Sequence, residues 1–331
     1  MSKKNQHYIP KFYLRYFSFE NNLKEIGIYN FQNNFFKENV PLKHQCSKNF
    51  FYGEDGIIEN NLSNIEGQID STIKNIITNE SLHKSNDDEL LILLSFFVLT
   101  DMRSLTSVEN IKNYPNRINA LDEEYSFPSL GHQRSVNIIF SAFPDIIPTV
   151  LDLDYKLLKN NSDVAFISSD YPISKYNLLF EKQNKYFSTT GYKWKGLLVF
   201  IPISPTLTLV FFDKSTYKIG NKKDTVISIS NSKEINQLNL LQGLYSNQIV
   251  FFNENISKEY VIRLHNLSEK YTKPNIPITH KAKLIEANGQ EKEIVVNRNN
   301  SPDINFNISS IKIHSGFKPS TINPLKMNFR K

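Results

Sequence analysis

Several polar residues in this sequence are suited to chemistry on an anionic group, and the first of them stands near the N-terminus. His7 is followed by Tyr8-Ile9-Pro10, so we expect a proline-limited turn to hold its imidazole, which could then act as a base, a ligand or a proton donor. The alternative is a histidine that caps the next helix or lies at the rim of the core. The sequence leaves both interpretations open.

A carboxylate with catalytic potential follows the apolar run of residues 164–167. Asp170 lies in the segment SSDYPI, and Pro172 stops the run. The end of a strand is a common position for a metal ligand or a general base, whereas an Asx turn that closes the strand needs the same residue type. Ser169, beside the carboxylate, is a candidate substrate-binding hydroxyl.

Two carboxylates and a guanidinium could complete such a site. Glu59 and Glu66 are seven residues apart on a predicted helix, which places them on one face two turns apart. Together with Asp170 they are the candidate ligands for Mg²⁺ or Mn²⁺. Arg103 ends an apolar helix, where it could clamp a phosphate or simply offset the helix dipole. A solvent-exposed face is the alternative for the glutamates.

Two amides on one helix face are the remaining candidates. Asn239 and Gln242 are three residues apart in an apolar helical segment, so they share a face and need hydrogen-bond partners. We take them as candidate substrate-binding residues.

The elements that must position these side chains form an α+β pattern. Three- and four-residue apolar spacing predicts helices from Pro10, over residues 57–77, from Asp87 to Arg103, over 107–119 and over 132–143. Short β-branched and aromatic runs then predict a C-terminal mixed sheet beneath this helical layer. The tail predicts a basic β-hairpin around an Asn288-Gly289 turn, and the segment ISSIKIHS is a candidate third strand.

The positive charge is concentrated in that tail. Residues 272–331 contain ten basic and four acidic residues, and this surplus of six equals the net charge of the whole chain. We therefore divide the chain into an α+β core domain (1–272) and a basic β-rich extension (273–331), with a joint near the prolines at 274 and 277. The extension is a candidate nucleic-acid-binding arm, although a solubilising role explains the charge equally well.

The sequence also excludes several classes of protein. A single cysteine, Cys46, rules out a disulfide framework and a thiolate metal cluster. Dinucleotide, P-loop, zincin and nucleophile-elbow motifs are missing from the sequence. We expect a cytoplasmic protein with no membrane span, because the longest apolar run, from Leu90 to Leu99, is too short to cross a bilayer.

The order of the segments HYIPKFYLRYF, ENNLSNIEG, MRS, FISSDYPI, PISP and NLLQ over residues 5–255 resembles the bacterial family called domain of unknown function 4238. Asp101 and Met102 depart from it, since a Gln-bearing segment is expected before Arg103. The resemblance implies one shared pocket for the candidates His7, Glu66, Arg103, Asp170 and Asn239. It supplies no reaction, and a role in phage defence or toxicity follows by analogy only.

Two functions remain. The first is a metal-dependent phosphodiesterase or nuclease, in which the carboxylates hold Mg²⁺ or Mn²⁺, His7 transfers a proton and Arg103 neutralises the phosphate. The alternative is a non-catalytic module that binds nucleic acid or another partner and has a structural polar network. Mutual pairing and burial of His7, Arg103 and Asp170 would favour the alternative.

Overall fold

The N-terminal half is helical, as the apolar spacing predicts. The computed structural model describes residues 3–83, 87–181, 183, 187–285, 290–299, 302–317, 322 and 327–330. Within these residues its helices are α1 (Lys11–Arg15), α2 (Ile57–Asn79), α3 (Asp87–Arg103), α4 (Leu105–Lys112), α5 (Tyr114–Asn119), α6 (His132–Ser141) and α7 (Phe143–Ile146).

The segment predicted as one helix over 107–119 forms two. Ser104 caps α4 by accepting from the Ser107 N–H at 3.1 Å, and α4 ends at Lys112. Pro115 then lies in the first turn of α5. Proline lacks the N–H that a continuous helix would need and restricts the residue before it, so the chain starts a new helix here.

The C-terminal half supplies most of the strands, as predicted, and helices α8 (Ser232–Tyr245) and α9 (Lys258–Ser268). The described strands are β1 (Asn5–His7), β2 (Glu25–Asn30), β3 (Phe35–Pro41), β4 (Ser47–Asn49), β5 (Asp154–Asn160), β6 (Ser168–Ser169), β7 (Ser174–Tyr176), β8 (Leu198–Ser204), β9 (Leu207–Phe212), β10 (Tyr217–Ile219), β11 (Val226–Ile229), β12 (Ile249–Phe252), β13 (Pro277–Ile285), β14 (Glu291–Asn299) and β15 (Ile311–Ile313).

A five-stranded mixed sheet is the centre of the molecule. Its order is β11-β5-β9-β8-β7, and only the β11–β5 pair is parallel. A second, antiparallel sheet has the order β3-β2-β12-β6, so the N-terminal hairpin β2–β3 is extended by strands from the other half. The α+β class is therefore confirmed.

The five-stranded sheet is covered on both faces, which explains its continuously apolar strands. On β9, Leu209 and Phe211 join the core formed with α2 and α3, whereas Val210 and Phe212 join a second core with α8 and α9. Successive side chains of a strand point to opposite faces, so both sets are buried. The helical layer predicted over the sheet is confirmed, and a second layer covers the other face.

The tail contributes to that second core. Phe306 is buried, and its ring lies 5.3 Å from the Phe200 ring and 4.8 Å from the Tyr176 ring. The hairpin β13–β14 forms as predicted, although its Asn288-Gly289 turn lies outside the described residues. The segment ISSIKIHS does form a strand, β15, but it pairs with β10 and not with the hairpin.

The predicted joint near residue 274 is hydrogen-bonded to the core. Lys273 Nζ donates to the carbonyls of Ser246 and Asn247 at 2.9 and 3.0 Å, and Asn275 Nδ2 donates to the Tyr245 carbonyl at 2.5 Å. The division into residues 1–272 and 273–331 stays a prediction.

The apolar helix α3 is a core helix. Within the described part of the chain, no helix taken singly has both the length and the apolar composition to cross a membrane; α3 and α4 together meet those criteria, with a bend of 52° between them. Residues Phe96, Phe97 and Val98 of α3 are buried in the first core.

Candidate functional site

Arg103 lies at the centre of a buried polar network. Its Nη1 donates to Glu66 Oε1 on α2 at 2.5 Å, its Nε to Tyr52 Oη at 2.8 Å, and its Nη2 to the His7 carbonyl of β1 at 2.6 Å. Arg103 is only 3% exposed. The guanidinium therefore joins three separate segments of the chain, and loss of Glu66 would leave it buried without its ion-pair partner.

His7 and Glu59 lie at the edge of this network. The pKa of His7 is lowered to about 4, mainly because the ring is buried and also because the cations Lys11 and Arg103 lie nearby. A ring nitrogen of His7 hydrogen bonds to the Lys43 backbone, and its Nε2 has no hydrogen-bond partner among the described residues. Burial raises the pKa of Glu59, and Arg103 opposes that shift. His7 and Glu59 thus each lie near Arg103.

Asp170 has a different environment. Its carboxylate accepts from the backbone N–H groups of Asn247, Gln248 and Ile249 at 2.7, 3.0 and 3.2 Å. Burial raises the pKa of Asp170 to about 6, and these three hydrogen bonds oppose the shift. The side chain is 5% exposed, and its oxygens serve the turn before β12.

The segment before Asp170 is not the strand that the sequence predicts. Strand β6 covers only Ser168–Ser169, and the residues before it are held by the side chain of Asn239. Asn239 Nδ2 donates to the Ala165 carbonyl at 2.9 Å, and its Oδ1 accepts from the Ile167 N–H at 3.1 Å. The side-chain amide of Asn239 on α8 thus makes the two hydrogen bonds that the backbone of a neighbouring strand would make.

Gln242, one turn further along α8, holds the segment after Asp170. Its Oε1 accepts from Ser169 Oγ at 3.1 Å, and its Nε2 donates to the Pro172 carbonyl at 2.8 Å and to Ser174 Oγ at 2.9 Å. Gln242 and Ser169 are fully buried. The candidate substrate-binding residues therefore hydrogen bond to one another and to the main chain.

The predicted metal ligands do not form one ligand set. Glu66 accepts from Arg103 and Asp170 accepts from three backbone amides. Across the described ranges, no group of three or more His, Cys, Asp or Glu side chains is arranged to hold a metal ion. The site for Mg²⁺ or Mn²⁺ at Glu59, Glu66 and Asp170 stays a prediction.

A cleft of about 350 Å³, which we call the Asp101 cleft, opens between the α4–α6 helices and the hairpin β13–β14. At its base, Asp101 accepts from the hydroxyls of Tyr171 and Tyr192 and from Lys175 Nζ, the last at 2.7 Å. The ammonium also lies 5.2 Å from the centre of the Tyr192 ring. Three donors, one of them the cation Lys175, satisfy this buried carboxylate, so the base of the cleft is electrically balanced.

The walls of the cleft combine a cation that lacks an anionic partner among the described residues with amides and apolar side chains. Arg117 Nε donates to Thr279 Oγ1 at 3.2 Å and its Nη2 to the Asn110 carbonyl at 2.9 Å. Among the described residues no carboxylate pairs with Arg117, and burial lowers its pKa. Asn275 Oδ1 is also buried, and it has no hydrogen-bond partner among the described residues. The apolar wall is formed by Met102, Ile111, Ile138, Ile139 and Ile146.

Sequence reasoning missed this cleft. One signal was present: Asp101 is a charged residue at the end of the most apolar helix, where burial demands a partner. Arg117 and Tyr192 come from helical and loop segments with no distinctive pattern. Their convergence depends on the packing of the hairpin against α5, which the sequence does not specify.

These features define a class of α+β protein. A buried polar network joins α2, α3 and β1, and a separate cleft of small-molecule size lies between the α4–α6 helices and the hairpin β13–β14. The family model described as Protein of unknown function (DUF4238) matches residues 5–255, and the chain belongs to this family. No curated protein and no solved structure matches the chain.

Proposed function

We propose that this protein is a binding module whose Asp101 cleft holds a small molecule with one anionic group on a flat, mainly apolar body. The observation that carries this proposal is Arg117, a half-buried guanidinium in the cleft wall that has no carboxylate partner among the described residues. A desolvated cation without a counterion is costly, and an anionic ligand would remove that cost.

The charges of the cleft support an anion over a cation. Asp101 and Lys175 neutralise each other at the base, so Arg117 gives the wall a net positive charge. A guanidinium also matches a phosphate or carboxylate in a two-point hydrogen bond. Its carbon lies 5.8 Å from the centre of the Tyr114 ring, which helps to fix its plane.

The remaining walls suit the body of such a ligand. The buried Asn275 Oδ1 needs a hydrogen-bond donor, and the isoleucines of α4 and α6 offer apolar surface for a flat ring. A cavity of about 350 Å³ lies within the range of small-molecule sites, roughly 300–1,000 Å³. A nucleoside monophosphate has the required combination of phosphate, donors and planar base.

Binding without catalysis is favoured because two of the three predicted catalytic groups, Arg103 and Asp170, are occupied by other protein groups. Arg103 is buried and paired with Glu66, and Asp170 is buried against backbone amides. The metal-dependent nuclease stays a prediction from the sequence. It requires cleavage of DNA or RNA by the parent protein with Mg²⁺ or Mn²⁺, and loss of that cleavage in His7→Ala and Asp170→Asn.

Isothermal titration calorimetry with adenosine monophosphate, adenosine and inorganic phosphate tests the proposal. We expect the nucleotide to bind most tightly, and Arg117→Ala to weaken it about 10- to 100-fold through loss of a charged hydrogen bond. Arg134→Ala, an exposed arginine on α6 outside the cleft, is the matched control and should bind like the parent. Equal affinity for adenosine and its monophosphate, or equal losses in both variants, would overturn the proposal.

A further inference from the structure

Four exposed lysines and one half-buried lysine surround two adjoining hollows beside β10 and β15. The larger hollow, about 520 Å³, is lined by Lys214, Lys218 and Lys222, and the smaller, about 310 Å³, by Lys195 and Lys214. Lys214 borders both, so the hollows are neighbours. We call this surface, with Lys312 on the adjacent strand, the lysine groove.

A like-charge pair in a β-ladder marks this surface. Lys218 of β10 and Lys312 of β15 are directly opposite in the antiparallel register, so their side chains point to the same face with Cβ atoms roughly 5 Å apart. Both are exposed. Like charges placed directly opposite destabilise a strand pair, and a bound anion would relieve their repulsion.

The acids around the groove do not neutralise these lysines. Asp213 accepts from the Gly196 N–H at 2.8 Å and from the hydroxyls of Ser215 and Thr216 at 2.6 and 2.7 Å. Asp152 is paired with Arg330, whose Nε donates to it at 2.7 Å.

Asp154 lines the larger hollow and accepts from the Tyr155 N–H at 2.8 Å. Lys214, Lys218, Lys222 and Lys312 have no carboxylate partner among the residues that the structure describes. The groove therefore keeps its positive charge.

The hairpin of the tail differs in this respect. Lys281 pairs with Asp122 and with Glu293, the latter at 3.2 Å, and Lys283 pairs with Glu291 at 2.8 Å. Lys281 and Lys283 of β13 therefore have carboxylate partners. Lys312 is the described tail lysine that contributes to the groove.

From this distribution we infer that the lysine groove binds the phosphodiester backbone of nucleic acid, independently of the Asp101 cleft. A row of cations along two adjoining hollows fits a linear polymer of anions better than it fits a single phosphate. Phe212 and Tyr217, which line the larger hollow, are buried, so their rings are not open to stacking by bases. Contacts to the backbone alone make binding independent of sequence.

Fluorescence anisotropy with a labelled 20-nucleotide single strand and its duplex, from 50 to 200 mM KCl, tests this inference. We expect the parent to bind with strong salt dependence. The double variant Lys218→Gln/Lys312→Gln should bind at least 5-fold more weakly at 100 mM KCl. Its slope of log affinity against log salt should fall by roughly 1.5 units, since each lost phosphate contact contributes about 0.7 to 0.9.

The matched control is Lys281→Gln/Lys283→Gln, which removes the same charge from the hairpin and should leave the slope unchanged. Thermal melting separates binding from folding, because Lys218→Gln/Lys312→Gln removes a repulsive pair and should melt at or above the parent temperature. Arg117→Ala should bind the oligonucleotide like the parent, which keeps this inference distinct from the cleft proposal.

Three results would overturn the inference. One is no binding of either oligonucleotide at 50 mM KCl. Another is an equal loss of oligonucleotide affinity in Lys218→Gln/Lys312→Gln and in Lys281→Gln/Lys283→Gln. The third is polyglutamate bound as tightly as the oligonucleotide with the same dependence on Lys218 and Lys312, which would assign the groove to an acidic protein.

Discussion

Asp101 and Arg103 are two residues apart on α3 and belong to different networks. Two helical residues differ by about 200° around the axis, so Asp101 faces Tyr171 and Lys175 while Arg103 faces Tyr52. The end of one apolar helix therefore supports the base of the Asp101 cleft on one side and the contact with α2 on the other.

At the residue scale, Asp101→Asn should strongly destabilise the protein. The variant leaves Lys175 buried without its counterion, and breaking a buried pair from one side typically costs about 3–5 kcal/mol. Urea denaturation measures the change in the free energy of unfolding.

The matched substitution is Asp122→Asn, which removes one partner of the half-buried Lys281 and leaves Glu293 as the other. Solvent reaches and screens this pair, so this variant should unfold much like the parent. Similar urea midpoints for Asp101→Asn and the parent would mean that Lys175 has another anionic partner.

His7 gives a prediction about pH. Its pKa falls from 6.5 to about 4 on folding, so the native state favours the neutral ring. The resulting stabilisation is complete above pH 6.5 and is lost as the pH falls toward 4. Asp170, whose pKa is raised to about 6, has the opposite slope between pH 4 and 6.

His7→Gln should therefore lose less stability than the parent between pH 6.5 and pH 4.5, with Asp170 unchanged in both proteins. Unfolding free energies from urea titrations at the two pH values measure this difference. Parallel losses in the two proteins would show that His7 titrates normally.

At the element scale, a side-chain amide replaces a strand. Asn239 on α8 hydrogen bonds to Ala165 and Ile167 as a neighbouring strand would. Because α8 itself is held by its apolar face, this pair of hydrogen bonds fixes the position of the segment that leads to Asp170. The sequence indicated that the amide needs partners but could not show that they are backbone groups.

Asn239→Ala should leave the Ile167 N–H and the Ala165 carbonyl buried and unpaired, at about 1–3 kcal/mol for each group. Hydrogen exchange at the Ile167 amide should become faster, and the urea midpoint should fall. Asn236→Ala, at an exposed position of the same helix, is the control and should change both much less. An unchanged exchange rate at Ile167 would show that the amide does not hold this segment.

For the whole molecule, periodicity predicted more than pairing. The apolar spacing of α2 and α3 and the unbroken apolar runs of β8 and β9 predicted helices and buried strands correctly, because burial of one or both faces leaves a regular pattern. The pairing of β15 with β10 depends on contacts distant in sequence, and no local pattern encodes them.

The candidate site shows the same limit. His7, Glu59, Glu66 and Arg103 do lie near one another, since they belong to elements that pack together in the first core. Asp170, Asn239 and Gln242 bind backbone and neighbouring side chains instead. Residue type cannot distinguish a buried polar group that serves the fold from one that faces a ligand, because both need partners.

The central claim is that the Asp101 cleft binds a small anionic ligand while the Arg103 network serves the fold. Amide and side-chain NMR spectra of the full chain, titrated with adenosine monophosphate, test it most directly. We predict shifts at Arg117, Asn110 and Asn275 and unchanged signals at Glu66 and Tyr52. Shifts centred on His7, Glu66 and Tyr52, with the cleft residues unchanged, would contradict the account. They would place the ligand-binding site at the Arg103 network.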